Sequence, residues 1–147
     1  MNGSMSMFKA MDVSASGLTA QRFRMDVISE NIANMDTTRT DTGEPYRRRV
    51  TVFEQQPGDS FSSYLGSAAS GTGGVRVAGV VEDPSPLKLE YDPENPDANE
   101  EGYVQKPNVD VVTEMVDMIS ASRAYEANIT ALNASKDMYM KAFEIGR

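Results

Sequence analysis

Carboxylates are the residues of this 147-residue chain best suited to chemistry, since histidine and cysteine are absent. That absence removes the commonest general base and the soft metal ligands. Carboxylates crowd into the stretch 90–101, and such oxygen ligands suit calcium. They are Glu90, Asp92, Glu94, Asp97, Glu100 and Glu101. Because their spacing does not match an EF-hand loop and prolines interrupt it, we interpret this stretch as a solvated acidic loop, with a carboxylate hydrolase as the weaker alternative.

Two further motifs favour structure over ligand binding. SGTGG at 70–74 has the glycines of a phosphate-binding loop, but no Lys-Ser/Thr pair follows and it opens no helix, so it predicts a linker. In YRRRV at 46–50, strand alternation points Arg48 away from its two arginine neighbours. No continuous basic patch forms, and ion pairs with acidic loops of a neighbour fit better than nucleic acid. We therefore expect no cofactor, no metal and no enzymatic activity.

Charge and hydropathy exclude other classes. A net charge of −8 argues against binding to nucleic acid or an anionic membrane, where a basic face supplies the affinity. No apolar run approaches the roughly 20 residues of a membrane span, and the N-terminus lacks the pattern of a cleavable signal peptide. We expect no membrane insertion and no cleaved signal.

Apolar periodicity predicts a long helix at each end of the chain. Met11, Leu18, Met25 and Ile32 recur every seven residues, with Ile28 between them, which predicts an amphipathic helix over 7–36. Near the C-terminus the heptad positions are Val111, Met118, Tyr125, Leu132 and Tyr139, with Met115, Ile129 and Phe143 four residues after three of them. They predict a second helix over about 109–145, within a C-terminal segment 107–147.

The two helices are expected to pair as a coiled coil with weak seams. Ser122 and Lys136 interrupt the C-terminal seam, and the N-terminal seam depends on methionine, which adapts to many surfaces and specifies none. Two interpretations remain open. The helices form a two-helix antiparallel core with methionine as filler, or they complete their packing against neighbouring subunits.

The middle segment, 37–106, has strand periodicity instead. The stretches 45–56 and 73–93 alternate as strands do and predict a small antiparallel hairpin or sheet, separated by a Gly/Ser-rich mobile loop over 57–74. The predicted fold class is mainly α with a small β region inserted between the terminal helices.

A family resemblance appears when three segments of the chain are placed side by side. SASGLTAQRFRMDVISENIANMDTTRT, GEPYRRRVTVFE and NVDVVTEMVDMISASRAYEAN through the ending EIGR resemble the bacterial flagellar rod and hook axial proteins, in particular the proximal basal-body rod. The resemblance covers 7–54 and 107–147. Glu30 departs from the asparagine more usual in the family motif. The motif residues are Ser16, Gly17, Leu18, Asn31, Ile32, Ala33 and Asn34.

The resemblance implies a structural subunit of the flagellar basal-body rod. Its terminal helices would line a hollow shaft that transmits torque and passes exported subunits, with the middle segment facing outward. Export would use the flagellar type III apparatus, and assembly in the periplasm would join the chain to its own copies, other rod proteins and the rod base at the export apparatus and MS ring. The alternative function is a self-contained coiled-coil module that binds one soluble partner.

The resemblance and the heptads together mark the expected packing residues. Asn31 and Asn34 are expected to fix the register of a helical interface by hydrogen bonding, although Asn34 alternatively ends the helix. The residues expected to pack between helices or subunits are Met11, Leu18, Met25, Ile28, Ile32, Met118, Tyr125, Ile129 and Leu132.

Overall fold

Two long helices flank a β region in the computed structural model, which describes residues 2–57 and 72–145. In chain order the elements are α1 (Asn2–Ala33), β1 (Arg49–Pro57), β2 (Thr72–Glu82), β3 (Lys88–Tyr91), β4 (Tyr103–Lys106) and α2 (Val111–Ile145). The predicted class, mainly helical with a small β region, is confirmed. Most of the predicted loop 57–74 lies outside the described residues, while both of its ends belong to strands.

The helices α1 and α2 pack side by side in opposite directions. The rings of Phe8 and Tyr139 have centroids 5.3 Å apart at one end of the pair. Near the other end, Asn31 Nδ2 lies 3.0 Å from a carboxylate oxygen of Glu114. Because the partner of the earlier residue comes later in α2, the two helices run antiparallel.

The seam between these helices is built from small and polar side chains. Ala20 and Ala121 are almost fully buried. A Cβ added to Gly17 would lie 2.9 Å from the side-chain nitrogen of Asn128. Small residues allow two helices to approach closely, so the seam gains its contacts from proximity more than from large apolar groups.

Most of the large apolar residues predicted to pack occupy the flanks of this seam, and Ile28 is the exception. Ile28 is buried, as is Val27 beside it. Ile129 is 37% exposed. The other predicted packing residues are partly exposed in the single chain: Met11, Leu18, Met25, Ile32, Met118, Tyr125 and Leu132. Heptads found by scanning for bulky residues therefore sit beside the buried line, which in α1 passes through Ala20, Val27 and Asn31.

Side-chain hydrogen bonds lie at two of the helix ends. The helix α1 ends at Ala33, three residues before the predicted end at 36, and there Asn34 Nδ2 donates to the carbonyl of Glu30 at 2.9 Å. Asp110 precedes α2 and accepts from the amide and hydroxyl of Thr113, at 3.3 and 2.6 Å. These bonds lower the pKa of Asp110 and make it the N-cap.

The strands β1 and β2 form an antiparallel hairpin that lies against α1. Val75 donates its amide to Ser16 Oγ at 3.0 Å, and the same hydroxyl donates to the carbonyl of Val13 at 2.7 Å. A side chain on Gly74 would collide with Ser16. Glycine at this position therefore allows the hairpin to reach the helix.

The strands β3 and β4 form a second antiparallel pair, which brackets the acidic loop. Val104 of β4 is 1% exposed. From the loop, Asp97 accepts from the Thr38 hydroxyl at 2.8 Å and pairs with Arg39 at 3.7 Å. Among the described residues, no three ligating side chains gather into a metal-binding group.

Candidate functional site

Asn31 is the most completely bonded buried side chain near the meeting point of α1, α2 and β1. It is 1% exposed. Its Nδ2 donates to the Arg49 carbonyl at 2.8 Å and to Glu114 at 3.0 Å. Its Oδ1 accepts from the Arg49 amide at 2.9 Å and from the Tyr46 hydroxyl at 2.9 Å. Two donors and two acceptor positions are thus all satisfied, which is the full capacity of a carboxamide.

The pair of bonds between Asn31 and Arg49 copies a β-ladder. One side-chain amide exchanges both an N–H and a C=O bond with a single backbone residue, as opposed residues do in an antiparallel sheet. Arg49 is the first residue of β1. The helix therefore adds a hydrogen-bonding partner at the beginning of this strand, besides the pairing of Arg49 with Glu82 of β2.

Arg48 joins the same cluster to α2. Its Nε donates to Glu114 at 2.6 Å, and its Nη2 donates to Asp117 at 3.1 Å. Glu114 is fully buried, and Asp117 also accepts from Arg24 of α1 at 3.1 Å. Burial acts to lower the pKa of Arg48, but the bond to Glu114 and the nearby carboxylates outweigh it and raise the pKa. The guanidinium stays charged and offsets the buried carboxylate.

Tyr46 and Asn108 secure the segment between α1 and β1. Burial raises the pKa of the Tyr46 hydroxyl, against the opposing charge of Arg49, so the phenol remains a donor to Asn31 at neutral pH. The Arg48 amide donates to Asn108 Oδ1 at 2.8 Å. We call the cluster of Asn31, Tyr46, Arg48, Glu114 and Asp117 the junction.

The junction holds two helices and a strand in one arrangement. Its groups are satisfied by one another and by Arg24 and the backbone of Arg49, and burial of an unpaired carboxylate or amide would be costly. The role of the junction is therefore structural.

Sequence reasoning found Asn31 and missed its partners. Glu114, Ala121 and Ser135 are buried at intervals of seven and fourteen residues along α2. None of them is a large apolar residue, so a search for apolar heptads passes over them. Two features of the sequence could have pointed to these partners. Glu114 lies seven residues before Ala121 on the predicted helix, and three consecutive arginines lie upstream of that helix.

The remaining motif residues are distributed along α1. Ser16 binds the hairpin and Gly17 approaches Asn128 of α2. Leu18 and Ile32 are partly exposed, and Ala33 is exposed at the last helical position.

A second feature is an exposed apolar line on α2. Val112, Met115, Val116 and Ile119 are 70%, 55%, 61% and 55% exposed. Their spacing of three and four residues places them on one helix face. At 100° per residue this face is opposite to the one that carries the buried Glu114 and Ala121. We call these four residues the outer stripe.

Comparison with known proteins places the outer stripe, and the junction residues Asn31, Glu114 and Asp117, inside regions matched by family models. The family model described as flagella basal body rod protein matches residues 11–39, and the model described as flagellar basal body rod FlgEFG protein C-terminal matches 100–145. A protein of Bacillus subtilis (strain 168) named flagellar basal-body rod protein FlgC is 58% identical, with 97% of this chain and 100% of that protein covered.

Proteins of the same name in other bacteria are similar to the chain over nearly the same length. That of Borreliella burgdorferi is 51% identical over 96% of this chain and 98% of its own length. That of Salmonella typhimurium (strain LT2) is 43% identical over 97% of this chain and 100% of its own length. The chain belongs to the FlgC family of flagellar basal-body rod proteins. It is a structural subunit of the basal-body rod and not an enzyme.

Membership in the FlgC family confirms the rod function that the sequence motifs predicted, and it disfavours the soluble binding module. A rod subunit assembles with other rod components. No helix in the described part of the chain combines the length and apolar character needed to cross a membrane.

Proposed function

We propose that the chain polymerises through its terminal helices, contacting its own copies and other rod proteins to build a hollow shaft. The outer stripe of α2 supports this proposal, because four adjacent large apolar side chains are more than half exposed on one helix face. Fully burying such a side chain contributes about 1.5–3 kcal/mol. At the observed exposures, covering the stripe would contribute roughly 5 kcal/mol in total.

The partly exposed heptads fit the same role. Met11, Leu18, Met25 and Ile32 flank the seam of the single chain and become coiled-coil contacts when a second helix lies alongside. Met118, Tyr125, Ile129 and Leu132 do the same on α2.

Within the basal body, the shaft would occupy the periplasm, transmit torque and pass exported subunits, with the middle segment outward and the base contacting the export apparatus and MS ring. Export would proceed without a cleaved signal. The family membership supports this placement.

Substitutions in the outer stripe test the assembly. Val116→Glu with Ile119→Glu should leave the isolated chain folded, since both side chains are exposed, while abolishing recovery of the chain in purified basal bodies. Leu89→Glu is the matched control, because Leu89 is 67% exposed but lies in β3. Normal incorporation of the double variant would contradict assembly through this face.

A further inference from the structure

Methionine is the sulfur-containing side chain through which this protein can react with oxidants. The sequence has ten methionines and no cysteine, so the thiolates that peroxides otherwise attack are absent. Peroxides transfer oxygen to the thioether sulfur of methionine and convert a flexible apolar side chain into a polar sulfoxide. Because the oxidant must reach the sulfur, the exposure of each methionine decides where this reaction occurs.

Three methionines of α2 are open to solvent. Met115, Met138 and Met140 are 55%, 58% and 56% exposed. The methionines that flank the helix seam are less accessible: Met11, Met25 and Met118. Among the methionines whose burial the structure describes, the three open ones on α2 are therefore the first expected targets of a peroxide.

Met115 differs from the other two open methionines because it lies within the outer stripe. Val112 and Ile119, three residues before it and four after it, are its neighbours on the same helix face. The segment 110–119 contains no basic residue, and the hydroxyl of Thr113 already donates to the N-cap of α2. The stripe therefore offers no free side-chain donor to an oxygen added at the sulfur.

An oxygen on the Met115 sulfur would place a hydrogen-bond acceptor in the middle of an apolar surface. Covering that acceptor without a donor would lose its hydration, and the cost of burying one such polar group corresponds to roughly a tenfold loss of affinity. The fold of the single chain would not change, because the Met115 side chain is exposed in it. Oxidation at this position would therefore alter the surface and leave the subunit folded.

We propose that Met115 is a reversible oxidation site that controls whether the chain assembles through the outer stripe. Hydrogen peroxide gives one oxygen to the sulfur, its O–O bond breaks and water leaves, so the sulfur loses two electrons and the peroxide gains them. A methionine sulfoxide reductase reverses the step: its thiols supply two electrons and become a disulfide, and the oxygen leaves as water. This inference rests on the proposed assembly through the outer stripe and identifies a modification that regulates it.

Limited oxidation of the purified, folded chain tests the reactivity of the site. The chain would be treated with hydrogen peroxide, and mass spectrometry of its peptides would give the sulfoxide fraction at each methionine. We expect Met115 to oxidise several-fold faster than Met118, which is the matched control on the same helix, with an unchanged circular dichroism spectrum. Oxidation of Met118 ahead of Met115 would overturn the assignment.

A peroxide pulse given to cells during rod assembly tests the consequence. Three strains, each with one version of the gene, would express the wild type, Met115→Leu, or Met138→Leu with Met140→Leu. Leucine keeps a similar apolar volume and has no sulfur. Recovery of the chain in purified basal bodies would be compared with the untreated culture of the same strain.

General damage by peroxide affects all three strains, so the difference between them reports on Met115. We expect recovery of the wild type and of the Met138→Leu, Met140→Leu chain to fall several-fold further than recovery of Met115→Leu. Equal losses for the wild type and Met115→Leu would overturn the inference.

A permanently polar side chain gives a second measurement that needs no oxidant. Met115→Gln should lower incorporation into basal bodies by roughly tenfold, as one buried polar group without a partner does. Met35→Gln makes the same change at a 36% exposed residue beyond the end of α1 and should incorporate normally.

The result for Met115→Gln is compared with that for Val116→Glu with Ile119→Glu. Normal incorporation of Met115→Gln alone would overturn the oxidation site and leave assembly through the stripe intact. Normal incorporation of both chains would overturn the assembly face as well.

Discussion

At the scale of single residues, Asn31 requires both ends of its carboxamide. Two bonds use the nitrogen as donor and two use the oxygen as acceptor, inside a site that is closed to water. Aspartate has the same shape but offers acceptors only, and it would place a second carboxylate 3.0 Å from Glu114.

Asn31→Asp should therefore destabilise the folded chain by about 3 kcal/mol at neutral pH, through lost donors and buried like charge. Urea unfolding of the isolated chain, followed by circular dichroism, measures this. Asn34→Asp makes the same chemical change at a partly exposed helix end and should cost less than about 1 kcal/mol. Equal losses in the two variants would show that the junction is not the main contributor.

The N-cap of α2 gives a prediction about pH. Hydrogen bonds from Thr113 lower the pKa of Asp110 below its usual 3.8, so the folded state favours the ionised carboxylate. The stability this provides is present above pH 3.8 and is lost as the pH falls through the lower pKa of the folded state. The wild-type chain should therefore lose stability relative to Asp110→Asn only in this acidic range.

Urea midpoints of the two chains, measured between about pH 6 and pH 2, check this. Thr113→Val removes the hydroxyl donor and should reduce the acid-dependent difference. Parallel curves for the wild type and Asp110→Asn would refute the assignment of the cap.

At the scale of elements, the hairpin and α1 meet through a backbone approach that permits no side chain. Ser16 Oγ is held by two hydrogen bonds, to Val13 and from Val75, so it cannot easily move aside. A Cβ at Gly74 would enter its space.

Gly74→Ala should separate the hairpin from the helix and lower the unfolding free energy by about 1–3 kcal/mol, as overpacking usually does. Gly79→Ala in the same strand is the control, because its Cβ meets nothing within 4 Å. Thermal unfolding and amide exchange of β2 would measure the effect. A loss as large for Gly79→Ala would point to strand propensity instead of the contact with Ser16.

Elements were predicted from the sequence more accurately than the contacts between them. The helices and the hairpin follow from apolar period and alternation, which are local signals. The seam between α1 and α2 could not be predicted in this way, because Ala20, Ala121 and Glu114 pack through close approach of the helices and through hydrogen bonds. Such residues carry no apolar periodicity. The partners of Asn31 lie 15 to 83 positions away in sequence, so no local rule links them.

At the scale of the whole molecule, burial is concentrated near the junction. Among the residues whose burial the structure describes, which begin at 8 in α1, the buried hydrophobic side chains of α1 lie between Ala20 and Ile28, and that of α2 is Ala121. Toward the end where Phe8 meets Tyr139, Met138, Met140 and Phe143 are more than half exposed. Among these described residues, the helix pair is therefore better packed near the junction than near Phe8 and Tyr139.

Amide exchange of the monomer should follow this gradient. Residues 20–33 and 111–122 should be protected, whereas 8–15 and 136–145 should exchange quickly, since few buried contacts oppose local opening. In purified basal bodies, both distal ends should become protected. Uniform strong protection in the monomer would instead favour a self-contained helical module.

The junction also determines how the helix pair responds to twisting. Sliding α2 by one residue would move Glu114 1.5 Å along the helix axis and turn it by 100°, away from Asn31 and Arg48. Apolar seams tolerate such slips because any large side chain can fill the next gap, but directional bonds to buried charges have no equivalent neighbouring position. A subunit under load would therefore deform elastically and return to the same register, instead of creeping by steps from one register to the next.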